Sequence, residues 1–300
     1  MKFSKLVCSL ALSFFSVAPF AGAMIASVDG VATHNTTSTD YISEIWNRTV
    51  YLSGGSSPGT GTYLGKDADG THWIMTAAHV TPVAGGISIG AEISLNYTGQ
   101  HRYFYNEDGT QADLELFSVS ATGDAADYLN ALGNIEIFTG TLYTNTPLYC
   151  VGTGANLSIG SGISSGGRVK QWGEFCEDST GLSGANGYST YVLKETFSVE
   201  GKSIQCGMYD SGSGVFVKNG DNWEAVGVAI AVGADAAGAA KIGYQDDAND
   251  GIENPVCYTQ FTYLSPYAKQ IYAIIPEPSV FGLFAGIFAL AFAGTRRRRK

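Results

Sequence analysis

Apolar residues in the middle of this chain come in short runs broken by turn formers, and helical spacing is almost absent. The runs include Thr49–Leu52, Gly61–Leu64, Trp73–Met75, Leu114–Phe117, Ile135–Phe138, Leu148–Val151, Thr190–Leu193, Val215–Val217 and Ala225–Ile230. Many short strands at this spacing describe an all-β sandwich or barrel. Thirty-nine glycines supply the turns, most visibly in the Gly/Ser/Pro-rich segment 53–59, while residues 231–251 read as a long exposed loop. One helix is expected, over Ser265–Ile274. No repeat of propeller or solenoid length is visible.

Both ends carry sorting features. Lys2 and Lys5, the apolar run Leu6–Phe20 and the small residues Ala21-Gly22-Ala23 form a secretory leader cut after Ala23. At the other end stand Pro276-Glu277-Pro278, an apolar stretch from Val280 to Ala293, and Arg296-Arg297-Arg298-Arg299-Lys300. That stretch can enter a bilayer as a transmembrane helix with its cations on the cytoplasmic side. The three parts together resemble the PEP-CTERM sorting signal of Gram-negative bacteria. The resemblance implies an exosortase-type processing enzyme as a partner and export across the inner membrane, with residues 279–294 as a transient or lasting anchor.

Between the ends, residues 24–275 hold ten basic and 26 acidic side chains, a formal charge of −16. Such acidity excludes nucleic acid and anionic membrane surfaces as partners and suits a soluble exported protein. Cys150, Cys176, Cys206 and Cys257 are an even set in an exported chain, so two disulfides are expected. No C-x-x-C pair occurs and the four histidines are scattered, so no metal is expected. Asp246-Asp247-Ala248-Asn249-Asp250-Gly251 departs from a calcium loop at Ala248 and reads as a solvated acidic loop.

Chemistry concentrates in three places. Asp210-Ser211-Gly212-Ser213-Gly214 precedes the strand Val215–Val217, a turn that can present a hydroxyl beside exposed backbone N–H groups. A serine needs a base to take its proton. Trp73-Ile74-Met75-Thr76-Ala77-Ala78-His79 offers one, its small residues letting the backbone pack closely beneath an imidazole. His72 is the nearest rival but is expected to be exposed, and His34 and His101 lie in polar surroundings that suit surface residues. A carboxylate must orient the imidazole. Asp113, in Ala112-Asp113-Leu114-Glu115-Leu116-Phe117, is preferred over Asp124 and Asp127 because an alternating strand follows it.

Thr-Ala-Ala-His, Asp-Leu-x-Leu and Asp-Ser-Gly-Ser-Gly, in that order, resemble the trypsin/chymotrypsin-like serine peptidases of the S1 family (PA clan). Gly59–Gly65, Cys150–Gly154, Gly227–Val232 and Pro255–Phe261 agree, so the likeness spans about residues 45–274. It implies two six-stranded antiparallel β-barrels, about 45–140 and 145–262, and a terminal helix at 265–274. It also implies a monomeric serine-type endopeptidase acting on polypeptides without a cofactor. Ser211 would be the nucleophile, His79 the base, Asp113 its orienter, and the N–H groups of Tyr209 and Ser211 the oxyanion hole. Gln205, Ile230, Ala231 and Val232 would bind substrate, and Asp210 would pair with a freshly cut N-terminus, for which Ile25 is a candidate. The template further suggests Cys206–Cys257 and Cys150–Cys176 bridges. Tyr209 stands where the family has glycine, Gln205 where trypsin has an acidic pocket base, and Val80 where the family has a cysteine. Tyr209, together with the lack of a clear activation site, motivates a second reading, a non-catalytic surface or matrix binding protein of the same fold. The sorting tail alone suggests a third, a structural matrix protein.

Overall fold

The structure, a computed structural model, describes residues 24–28, 31–90, 93–143, 145–155, 167–198, 201–234 and 257–277. The leader, nearly all of the sorting tail and the acidic run 246–251 lie outside them. No helix among the described residues is long and apolar enough to cross a membrane.

Two short antiparallel strands, β1 (Ile25–Val28) and β2 (Val31–Thr33), open the chain. A one-turn helix, α1 (Ser43–Asn47), leads into β3 (Thr49–Leu52), β4 (Gly59–Lys66), β5 (His72–Thr76), β6 (Ile87–Ile89), β7 (Ile93–Ser94), β8 (Asn96–Tyr105) and β9 (Gln111–Ser120). These pair antiparallel in the order β7-β6-β3-β4-β5-β9-β8. Every residue of β5 is buried, as is Ala112–Val119 in β9. Burial on both faces explains why the first of these strands reads as an apolar run and not as an alternation. The β3–β4 connection turns through Gly54 and Gly55, at φ 82° and 51°, a left-handed conformation that glycine reaches without steric cost.

Helix α2 (Asp124–Leu132) and the two-residue β10 (Glu136–Ile137) lead to the second sheet. It contains β11 (Leu148–Gly152), β12 (Gln171–Phe175), β13 (Ser179–Ala185) and β14 (Tyr188–Thr196). After β15 (Ser203–Gln205), which pairs with β1 instead, come β16 (Gly214–Asn219), β17 (Asn222–Ala234) and β18 (Cys257–Tyr263). The order is β12-β11-β16-β17-β18-β14-β13, with β10 parallel to β17. One apolar cluster fills the first sheet and continues through Tyr149, Val151, Phe216 and Val228 into the second. A smaller one, around Leu148, Phe175, Leu193 and Phe261, lies within the second sheet.

The molecule is mostly β, with two antiparallel sheets, yet it corrects the expected pair of six-stranded barrels. The sheets have seven and eight strands, and no described pairing closes either ladder into a ring. The two-residue strands β7 and β10 account for part of the excess, and segments that short carry no periodicity to read. The terminal helix is also divided. Ser265–Tyr267 form a 3₁₀ turn with Pro266 in its opening turn, and α3 spans only Ala268–Tyr272. Strand β17 enters the expected loop as far as Ala234.

Helix α2, which no strand-like pattern announces, is anchored by a buried cation. Arg48 is 1% exposed and donates to the carbonyls of Gly133 at 3.0 Å and Leu132, and to Glu44 at 3.4 Å. Burial lowers its pKa from the usual arginine range. Arg48→Ala leaves those carbonyls without their donor, so urea unfolding is expected to show a loss of roughly 3 kcal/mol. An unchanged midpoint would mean that α2 is held by its apolar face alone.

Candidate active site

Strand register brings the imidazole to the carboxylate. Thr76 of β5 lies opposite Glu115 of β9, and continuing that antiparallel ladder carries the chain after Thr76 towards Asp113. The chain then turns, with Val80 N–H bonded to Ala77 O at 3.0 Å, and Ala77 is fully buried.

Asp113 has no exposed side-chain surface and grips His79 at two points. His79 Nδ1 lies 2.7 Å from Asp113 Oδ2, and the His79 backbone N–H donates to Oδ1 at 3.1 Å. A carboxylate accepts, so Nδ1 carries the proton and Nε2 is left as the basic nitrogen. The His79 side chain is 22% exposed, so the ring has an open edge. Asp113 is itself fixed through its backbone: its N–H donates to Thr190 Oγ1 at 2.9 Å, and its carbonyl accepts from Thr262 Oγ1 at 2.8 Å.

The competing residues are elsewhere. Asp124 and Asp127 sit in the first turn of α2. His72, expected to be exposed, is 8% exposed and bonded to Tyr63 Oη at 2.9 Å, and burial is the main cause of its lowered pKa. His34 is half-buried, with Nδ1 3.0 Å from Met24 O. His101, half-buried rather than a plain surface residue, pairs with Glu115 and Tyr97. Burial lowers the His101 pKa and pushes Glu115 up to about 8.

Ser211 faces the first sheet across the boundary between the two. Thr60 N–H donates to Ser211 O at 2.8 Å, and Gly212 N–H donates to Ala229 O at 2.7 Å, pinning the loop to both sheets. A Cβ on Gly59 would stand 2.7 Å from Ser211 O and 2.7 Å from a methyl of Val80, the residue after His79. The serine backbone and the histidine turn therefore close on one point that only glycine leaves clear. Among the described residues Ser211 Oγ makes no hydrogen bond to His79. Ser211 also lines a cavity of about 30 Å³ with Cys206, Gly207, Ala229, Ile230, Ala231 and Val232. Larger hollows open elsewhere, the largest described near Lys66, Asp67 and Asn134.

Tyr209 takes the conformation that glycine would take, with φ 73°. A left-handed non-glycine residue costs on the order of 1–3 kcal/mol. Its ring is stacked under Arg168, 5.5 Å from the guanidinium carbon, and Arg168 also covers Tyr51 at 5.3 Å. The guanidinium donates to Thr153 O at 2.8 Å and Leu52 O at 2.7 Å, and Thr60 Oγ1 holds Tyr209 O at 2.8 Å. Cation–π contact and these bonds offset the strain. The backbone N–H groups of Tyr209 and Ser211 have no acceptor among the described residues. That leaves both available to a developing oxyanion.

Asp210 is fully buried, accepts from Gly207 N–H at 2.9 Å, and has no hydrogen-bond partner on Oδ1. Burial pushes its carboxyl up to about 7, against the attraction of Arg168. The Met24 side chain packs beside the same carboxylate, near Gly152, and Ile25 is buried in β1. Gln205 is buried in β15, at the register partner of Ile25. Neither expected bridge, Cys206–Cys257 or Cys150–Cys176, is present in the structure. Cys150, at the centre of β11, and Cys206 lie side by side in the core; burial raises the Cys150 thiol, and the contact with Cys150, then burial, raises the Cys206 thiol. Asn186, which nothing in the sequence singled out, donates to Asp113 Oδ2 at 3.1 Å. Its Asn-Gly dipeptide is a hairpin-turn signal, which could have placed the turn but not its target.

The fold is distantly similar to solved proteases. An inactive mutant form of Rv3671c from M. tuberculosis H37Rv superimposes with a TM-score of 0.45 at 14% identity, covering 82% of this chain and 97% of that one. The inactive form of the Rv3671c protease gives 0.44 at 15% identity, covering 78% and 92%. The NS6 protease from murine norovirus 1 gives 0.39 at 14% identity, covering 74% and 92%. No protein-family model matches the sequence, and no curated protein does.

The raised Asp210 carboxyl has a thermodynamic signature. Its folded pKa of about 7 lies above the unfolded value, so the native state binds the extra proton and loses stability as pH rises from about 4 to about 7. Asp210→Asn removes that loss. Urea unfolding is expected to show the variant gaining on the parent by a few kcal/mol across this window and by nothing further above it. A constant difference at all pH values would mean that Asp210 is ionised throughout, held by a cationic partner.

Proposed function

We propose that this chain is an exported serine endopeptidase, working through Ser211, His79 and Asp113. The observation that carries the reading is the two-point grip of buried Asp113 on His79, which leaves Nε2 without a hydrogen-bond partner among the described residues. Ser211 Oγ attacks the scissile carbonyl carbon while its proton passes to His79 Nε2. The carbonyl oxygen becomes an oxyanion that accepts from the N–H groups of Tyr209 and Ser211. His79 then gives the proton to the departing amine as the C–N bond breaks, and water repeats the sequence on the acyl-enzyme. Asp113 stabilises the imidazolium and keeps the ring in the correct tautomer.

The cavity beside Ser211 sets the expected substrate. Ile230, Ala231 and Val232 make its wall largely apolar. Uncharged, apolar side chains before the cut suit such a wall. Gln205, uncharged and buried, offers no counter-ion for a basic side chain. Export by the leader, processing of the tail by an exosortase-type enzyme, and a monomeric extracellular or cell-surface product complete the proposal. Their support is the order of sequence motifs at the two ends.

The competing reading, a non-catalytic binding protein, draws on the missing Ser211–His79 hydrogen bond and on Tyr209. Peptide-library hydrolysis separates the two. The parent protein is expected to cleave, Ser211→Ala and His79→Ala to lose that activity, and Asp113→Ala to lower turnover by up to ~10⁴-fold with the fold intact. Cleavage unaffected by Ser211→Ala would refute the assignment. In the same library kcat/KM should favour apolar over basic side chains before the cut by at least tenfold. A preference for Lys or Arg would show that the cavity is not where that side chain binds.

A further inference from the structure

We propose that Asn186 is a positioning residue for the His79–Asp113 pair, carried into the site by the β13–β14 hairpin. Its consequence for turnover rests on the peptidase reading, while its effect on the pair does not.

The hairpin is built to deliver this side chain. β13 and β14 pair up to Ala185 opposite Tyr188, so Asn186-Gly187 is a two-residue turn. Both turn residues are left-handed, at φ 53° and 84°, which is the geometry for which Asn-Gly is favoured. β14 bonds to β18 only from Val192 onward, so the tip at 186–191 continues past the second sheet. Thr190, on that extension, accepts from the Asp113 backbone N–H at 2.9 Å, which docks the tip on β9 of the first sheet. The Asn186 residue is exposed at the tip, yet its amide reaches inward.

The amide inventory closes. Nδ2 has two hydrogens, and two acceptors lie in range, Asp113 Oδ2 at 3.1 Å and Ile230 O at 3.0 Å. His79 Nδ1, 3.2 Å away, is already the donor to the same carboxylate oxygen, so it is a neighbour of the amide and not an acceptor. Asp113 Oδ2 therefore takes one hydrogen from the base and one from the hairpin, while the hairpin's other hydrogen holds the strand that lines the Ser211 cavity. The ionisable groups nearby are Tyr188, Glu115 and Asp113 itself. Tyr188, on the same hairpin, is raised by burial and then by Asp113 and Glu115. Removing the amide leaves more charge on Oδ2 to favour the imidazolium, so His79 should hold its proton to higher pH.

Two variants of the full chain test this. Asn186→Gly keeps a residue suited to φ 53° but deletes the amide. Asn186→Asp keeps the shape but replaces a donor with an anion. The His79 ring titration, followed by NMR, is expected to move to higher pH in both, by about one unit or more in Asn186→Asp and by less in Asn186→Gly. In the peptidase assay kcat should fall roughly tenfold in Asn186→Gly with KM little changed. An unmoved His79 midpoint in folded variants overturns the proposal. So does loss of the fold in both, which would make Asn186 a turn residue only. Should the parent hydrolyse nothing while the midpoints still move, the positioning role stands and the peptidase reading falls.

Discussion

A carboxylate with no exposed surface is an expensive thing to bury, and Asp113 is tolerable only because donors surround it. Its side chain takes hydrogens from the His79 ring, the His79 backbone and Asn186. Thr190 and Thr262 of the second sheet hold its backbone. The same residue therefore fixes the imidazole and joins the two sheets. Loss of any one donor leaves part of a charge uncompensated in a low-dielectric interior, so the boundary between the sheets and the orientation of the base are coupled.

Arg168 makes a second junction. Arg168 bonds to Leu52 and Gly59 on one sheet and Thr153 on the other, and its guanidinium plane lies over Tyr51 and Tyr209. Tyrosine in a left-handed position beside the candidate nucleophile would be a defect if its ring had nothing to rest on. Stacked on a fixed arginine, it becomes the means by which the loop is located. Thr60 reinforces this by bonding to the carbonyls of both Tyr209 and Ser211, through its hydroxyl and its N–H respectively.

The strands that sequence could reveal were those buried on both faces or alternating cleanly, such as β3, β5 and β9. Short edge pieces such as β7, and the exposed strand β13, carry too few apolar residues to announce themselves. Likewise α2 depends on Arg48 and Leu129 for its anchorage more than on a long periodic face. His79 and Asp113 were legible because a strand leads into one and out of the other. His72 was misjudged because its neighbour Tyr63 lies on a different strand, and burial created by pairing is invisible in a linear pattern. The cysteine bridges failed for the same reason: template positions do not report where β11 places Cys150. Asn186 acts on a residue 73 positions away through a turn, a relation that only the folded chain displays.

The measurement that bears most directly on the shared site is the mapping of a covalent fluorophosphonate adduct by mass spectrometry. Attack on phosphorus needs the same activated hydroxyl as attack on a carbonyl carbon. A single adduct on Ser211, absent from the His79→Ala protein, is the predicted outcome. Modification of Ser213 instead, or no modification of the folded protein at all, would contradict the idea that these three side chains act together.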